Sequence, residues 1–130
     1  MILGVGCDIV NIARLEQGDK FLERFCQRIL GVEELNELKE RNPKGSRGLL
    51  CTLAKYYAGK EAFAKALGTG FRDGIYLSDI QILHNSLGKP ELKVSGIALE
   101  YMHRLSSTAH ADISLSDDYP FAQAYVVISD

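Results

Sequence analysis

The chain has 130 residues, 46% of them apolar and 25% charged. That is one domain, 1–130, long enough to bury a core without disulfides or metals and too apolar to be disordered. A formal net charge of −2 excludes a protein that coats nucleic acid or anionic lipid by bulk charge. The charge is uneven, though: Lys39 to Arg104 holds 11 Lys/Arg against 6 Asp/Glu, and four Asp and no base follow Arg104. An anion is most readily held by the middle of the chain. Cys7, Cys26 and Cys51 stand far apart, which points to a reducing cytoplasm rather than to a disulfide framework or a zinc site. The apolar N-terminus has no positive flank and ends at Asp8, so it is not read as a signal peptide. No window approaches the roughly 18 apolar residues of a membrane span.

In chain order, residues 2–10 read as a buried first strand. One face carries Leu3, Val5, Cys7 and Ile9, the other Gly4, Gly6, Asp8 and Val10. Two glycines beside a carboxylate mark close approach by something, either a packed helix or a ligand. Residues 19–30 form an amphipathic helix with Asp19 as N-cap and Gly31 as stop. Its apolar stripe is Phe21, Phe25 and Ile29, and beside it runs a basic stripe of Lys20, Arg24 and Arg28. That stripe is a solvated face or a docking strip for an acidic partner. Residues 33–40 make a second short, acidic helix, and 42–46 a loop.

The main helix spans 48–67. At 100° per residue, Leu50, Leu53, Ala54, Tyr57 and Ala64 share a face, and Glu61 falls in its middle. A carboxylate there is costly unless paired or bound to a cation. Lys65, four residues on, offers an ion pair; alternatively Glu61 holds a metal and Lys65 the anion that the metal brings. Gly68-Thr69-Gly70 is a left-handed stop followed by exposed amides. Strands joined by turns follow, with a hairpin at Asn85–Gly88 whose Gly88-Lys89-Pro90 tip is plain turn chemistry or reaches an anion. A helix over 96–106 and two alternating strands complete the order β-α-α-α-β-β-α-β-β: an α+β fold with a largely antiparallel sheet and a long central helix.

Asp8 and Glu61 are the two carboxylates oddly placed for structural acids. Two carboxylates, waters and substrate phosphate oxygens are how Mg²⁺ is usually held, and Lys60, Lys65 and Lys89 would neutralise a polyphosphate. At these same residues the chain resembles a known family. G-V-G-C-D-I-V-N-I-A-R-L-E is similar to the opening motif of the holo-acyl-carrier-protein synthases, small trimeric 4′-phosphopantetheinyl transferases. R-F-C-Q-R-I-L with Glu33-Glu34-Leu35 resembles their basic-helix segment. A-K-Y-Y-A-G-K-E-A-F-A-K-A-L-G-T-G resembles their signature helix and loop. L-G-K-P, Ser95-Gly96 and the closing A-x-A-Y-V-V-I extend the likeness over nearly the whole chain.

The resemblance implies transfer of the 4′-phosphopantetheine arm of coenzyme A to a serine of apo acyl carrier protein, with adenosine 3′,5′-bisphosphate leaving. It implies a homotrimer with sites between subunits. Asp8 and Glu61 become magnesium ligands. Lys65 becomes the residue beside the pyrophosphate, catalytic in stabilising the leaving group, with Lys60 nearby. Gly68, Thr69, Gly70, Lys89 and Pro90 would hold the adenosine end of the coenzyme. Arg14, Arg24 and Arg28 would face the acidic helix of the carrier protein. Two positions depart from the family pattern. Asp112 stands where the family carries a His, as a substitute base, a third carboxylate for the metal or a mark of lost activity; His110 lies two residues earlier on the same strand face. Tyr56-Tyr57 stands for Arg-Phe, and a Tyr cannot neutralise phosphate. The alternative is a non-catalytic relative that binds coenzyme A or carrier protein; a magnesium-dependent nucleotide hydrolase has only the carboxylate pair behind it.

Overall fold

A computed structural model describes residues 1–41, 47–71 and 74–130. The expected loop over 42–46 lies outside the described residues. The long helix organises the rest: α3 (Arg47–Leu67, 21 residues) is built from alanines and straight-chain residues that favour helix. Leu53, Ala54, Ala58, Ala62, Phe63 and Ala64 on it are closed to solvent. It lies across one face of an antiparallel sheet of β1 (Ile2–Asn11), β5 (Phe121–Ser129) and β4 (His110–Asp118), in the order β1-β5-β4. The register sets Gly6 opposite Val126 and Asp8 opposite Ala124.

Small residues make this contact close. A methyl added at Gly6 would run into the Ala62 carbonyl, and one at Gly4 into that of Ala66. The two glycines therefore serve helix packing, and that packing brings Asp8 to the flank of α3. β1 departs from expectation in one respect. Its Gly4-Gly6-Asp8-Val10 face is covered; on the other, Leu3 still packs on the core, but Val5 and Ile9 are 59% and 61% exposed, beside Tyr125 and Phe121 of β5. Among the described residues, helices cover the sheet from one side only.

α1 (Asp19–Ile29) and α2 (Val32–Arg41) lie to one side, α1 sending Phe25 and Ile29 into the core. The N-cap of α1 is Gly18, at φ 92°, not Asp19, which is its first residue. A 3-10 turn at Ile12–Leu15 joins β1 to α1. β2 (Ile80–His84) and β3 (Pro90–Val94) form a separate hairpin, with His84 opposite Pro90. Its turn is tied by Asn85 Oδ1, which accepts the N–H of Leu87 at 2.9 Å and of Lys89 at 3.0 Å. α4 (Gly96–Leu105) packs Ala98 and Met102 inward. The order is the one the sequence predicts, with bounds displaced by a residue or two.

Candidate active site

Asp8 and Glu61 meet in one cleft of about 770 Å³ between β1, α3 and α1. Arg14, Arg24, Arg28 and Tyr57 line it with them. Asp8 arrives from the inner face of β1. Glu61 and Tyr57 arrive from successive turns of α3, and the arginines from the 3-10 turn and one side of α1. Lys65 Nζ donates to Asp8 Oδ1 at 2.9 Å and to the Cys7 carbonyl at 3.0 Å. The hydrogen bond to Asp8 holds the Lys65 ammonium above the usual lysine range. The expected pair of Glu61 with Lys65 is thus replaced by Asp8 with Lys65. Tyr57 donates to Glu61 instead, and burial, then the Glu61 charge, pushes the phenol up.

Aromatic rings make the wall behind the arginines. Phe21 stacks on Phe25 with centroids 5.9 Å apart, and Phe25 tilts against Tyr57 at 5.5 Å. The Arg28 guanidinium sits 5.7 Å from the Phe25 centroid. The cleft therefore joins two charges of opposite purpose: carboxylates at its floor on β1 and α3, guanidinium groups on its α1 rim. Among the described residues no three His, Cys, Asp or Glu side chains gather as a metal cage. Two carboxylates in one cleft still suit Mg²⁺, whose shell is completed by waters and substrate phosphates.

Several expected site residues lie elsewhere. Lys60 is a correction: its side chain is fully buried, and Nζ donates to Glu34 Oε1 at 2.8 Å and Oε2 at 3.0 Å. It cannot reach a bound coenzyme. The cause is rotational, since the residue beside Glu61 on a helix points about 100° away. Gly68, Thr69 and Gly70 end α3, with φ 82° at Gly68 and 65° at Gly70, and like Lys89 and Pro90 they do not line the cleft. Asp112 lies on the uncovered sheet face, 63% exposed, with Oδ2 at 3.8 Å from His110 Nε2. His110 and Asp112 do share a strand face, opposite to that of Asp8. Tyr56 is buried, its ring 6.1 Å from that of His84.

The sequence reading missed Tyr57 as a partner of Glu61, although its place four residues earlier signals it. Glu34 was missed too. It sits three residues after Gly31 and accepts that N–H at 3.1 Å, the glutamate half of a capping box, while Gln81 takes the other half by accepting the Glu34 N–H.

Comparisons with known proteins agree with this arrangement. Residues 4–124 match the family model described as the 4′-phosphopantetheinyl transferase superfamily. A holo-[acyl-carrier-protein] synthase of Orientia tsutsugamushi is 43% identical over 131 residues, covering 99% of this chain and 98% of the relative. The crystal structure of the same synthase from Neisseria meningitidis superposes with a TM-score of 0.81 at 39% identity, covering both chains fully. That from Bacillus anthracis, in complex with CoA (3′,5′-ADP), gives 0.79 at 33% identity, over 98% of this chain and 96% of that one. With the two carboxylates in one cleft and this likeness over the whole length, the chain belongs to the 4′-phosphopantetheinyl transferase superfamily, among its holo-[acyl-carrier-protein] synthases.

Proposed function

We propose that the Asp8–Glu61 cleft is where this enzyme moves the 4′-phosphopantetheine arm of coenzyme A onto a serine of apo acyl carrier protein. The serine Oγ attacks the phosphorus nearer the pantetheine arm. The bond from that phosphorus to the bridging oxygen breaks, and adenosine 3′,5′-bisphosphate leaves. The observation that carries this reading is the joining of Asp8, Glu61 and three arginines in one cleft. Asp8 and Glu61 would hold Mg²⁺, which when bound supplies the positive charge that gathers pyrophosphate oxygens. Lys65, held beside the cleft by Asp8 and the Cys7 carbonyl, would donate to the departing phosphate as its charge grows. Arg14, Arg24 and Arg28 would receive the acidic helix of the carrier protein, an arrangement that speeds encounter and makes it salt-dependent.

The uncovered sheet face supports a homotrimer with sites between subunits. Val5, Ile9, Phe121 and Tyr125 form an apolar surface of the kind that marks a protein interface. Asp112 stands on that face, so it can take the serine proton only at a neighbour's cleft. Gly68–Gly70 and the Lys89-Pro90 tip lie outside the cleft of their own chain and would hold the adenosine end where subunits meet. Three free thiols suit a cytoplasmic protein, and no helix among the described residues is long and apolar enough to cross a membrane.

A second reading, binding without turnover, draws on Tyr56: buried against His84, it offers the coenzyme no charge. One measurement separates the two. Purified protein, magnesium, coenzyme A and apo carrier protein are incubated and the carrier is weighed. Addition of one phosphopantetheine is expected; coenzyme or carrier binding with no mass gain on any carrier tried would establish the second reading.

A further inference from the structure

Lys60 and Glu34 are charged, closed to solvent and unused by the transfer. Every polar valence of the pair is nonetheless filled. Lys60 Nζ donates to both Glu34 oxygens, to the Leu77 carbonyl at 3.1 Å and to the Ile80 carbonyl at 2.6 Å. Glu34 also accepts the Ile82 N–H at 2.8 Å, and its own N–H donates to Gln81 Oε1 at 2.9 Å. Three elements thus converge on one ion pair: the start of α2, the middle of α3 and the entry of β2. Along the hairpin the same clamp continues, Glu37 Oε1 accepting the His84 N–H at 2.9 Å and Glu33 pairing with Lys93.

A buried ion pair adds little net stability over a well-packed apolar pair of the same volume. What it adds is direction. Gly59 shows how near the parts come: a methyl there would lie 2.8 Å from the side-chain tips of Ile82 and Ile113. Apolar packing sets how close α3 lies, whereas the four directional Nζ contacts add a preferred rotation of α3 against β2. Glu61 is the next residue on that helix.

We propose that Lys60 is a positioning residue: paired with Glu34, it locks the rotation of α3 against β2 and so sets Glu61 relative to the hairpin that carries Lys89. This rests on the cleft being the transferase site. Through Glu61 the lock acts on the magnesium site, and through the hairpin on the coenzyme. It acts least on Arg24 and Arg28, which α1 carries and which feel α3 only at second hand, through the Phe25–Tyr57 contact.

The test uses the full-length protein with Lys60→Met alone and with Lys60→Met plus Glu34→Gln. The single variant strands a buried carboxylate and is expected to lose much of its thermal stability. The added Gln removes the stranded charge and keeps an acceptor for the Ile82 N–H, though not also for the Gly31 N–H, and is expected to recover most of the lost stability. In the restored protein, the magnesium needed for half-maximal rate and the calorimetric Kd for coenzyme A should each rise roughly tenfold, as for other residues that orient ligand-bearing groups. The KM for apo carrier protein should stay unchanged. A folded double variant with unaltered magnesium and coenzyme dependence overturns the proposal. So does one in which all three constants shift together, or a double variant that does not fold, because the pair is then only scaffold. Glu61→Gln is measured alongside: if it is fully active, the cleft assignment itself fails, whatever Lys60 does.

Discussion

Lys65 had two carboxylates within reach, and its choice of Asp8 fixes the chemistry of the cleft floor. Glu61, four residues back on the same helix, is already engaged by Tyr57, so the ammonium crosses to β1. The hydrogen bond raises the Lys65 pKa above its unfolded value of 10.5. A raised lysine pKa means the contribution to folding is complete below the ordinary lysine range and is lost as pH climbs through the folded value. Replacing Lys65 by Met should therefore lower the melting temperature by a constant amount between neutral pH and about pH 9. The difference should shrink above that range; scanning calorimetry across pH checks it, and the effect will be small because Lys65 is 55% exposed. With Lys65 in its proposed role as donor to the departing phosphate, activity should fall far more than stability at every pH.

At the scale of elements, α1 does two tasks with two faces. Phe25 and Ile29 anchor it, and the anchored helix turns Arg24 and Arg28 to the cleft rim. Charge reversal at both, Arg24→Glu with Arg28→Glu, should raise the KM for apo carrier protein by about tenfold or more and flatten its salt dependence. Coenzyme A binding by calorimetry should be unchanged; a weakened coenzyme would mean that the arginines serve phosphate instead. Both stripes of α1 and nearly every element were legible in the sequence, because helical and strand periods differ and glycines punctuate the ends. The covered face of β1 was not. Val5, Cys7 and Ile9 read as core by hydropathy, and nothing local distinguishes a face buried by a helix from one left uncovered. The partner of Lys60 was equally hidden, since Glu34 lies 26 residues away and the pairing depends on how α2 meets the hairpin. Asp8 and Glu61 could be singled out because each broke an apolar pattern.

For the whole molecule, the uncovered face of β1, β5 and β4 poses the main question. Val5, Ile9 and Tyr125 at half exposure or more are costly to leave in water, each worth roughly 1.5–3 kcal/mol when fully buried. Light scattering on the purified protein should give the mass of three chains. Tyr125→Asp, which puts a charge in the middle of that face, should give the mass of one chain and abolish carrier modification, with the far-UV circular dichroism retained. An active single-chain Tyr125→Asp species would show that each cleft is complete by itself and that Asp112, Lys89 and the Gly68–Gly70 loop are bystanders.

The contact of Gly4 and Gly6 with the carbonyls of Ala66 and Ala62 acts as a gauge block for the cleft. Bare backbone against bare backbone is the closest setting two elements have, and Asp8 and Glu61 project from either side of that gap. Their separation therefore has a lower stop set by backbone, and the Lys60–Glu34 pair governs only the rotation of α3 at that stop. The smallest increment available is one methyl, and it is already too large. Gly6→Ala should cost about 1–3 kcal/mol through overpacking, read as a lowered melting temperature, and should spread the two carboxylates as it does so. The width of this gap admits no gradual adjustment.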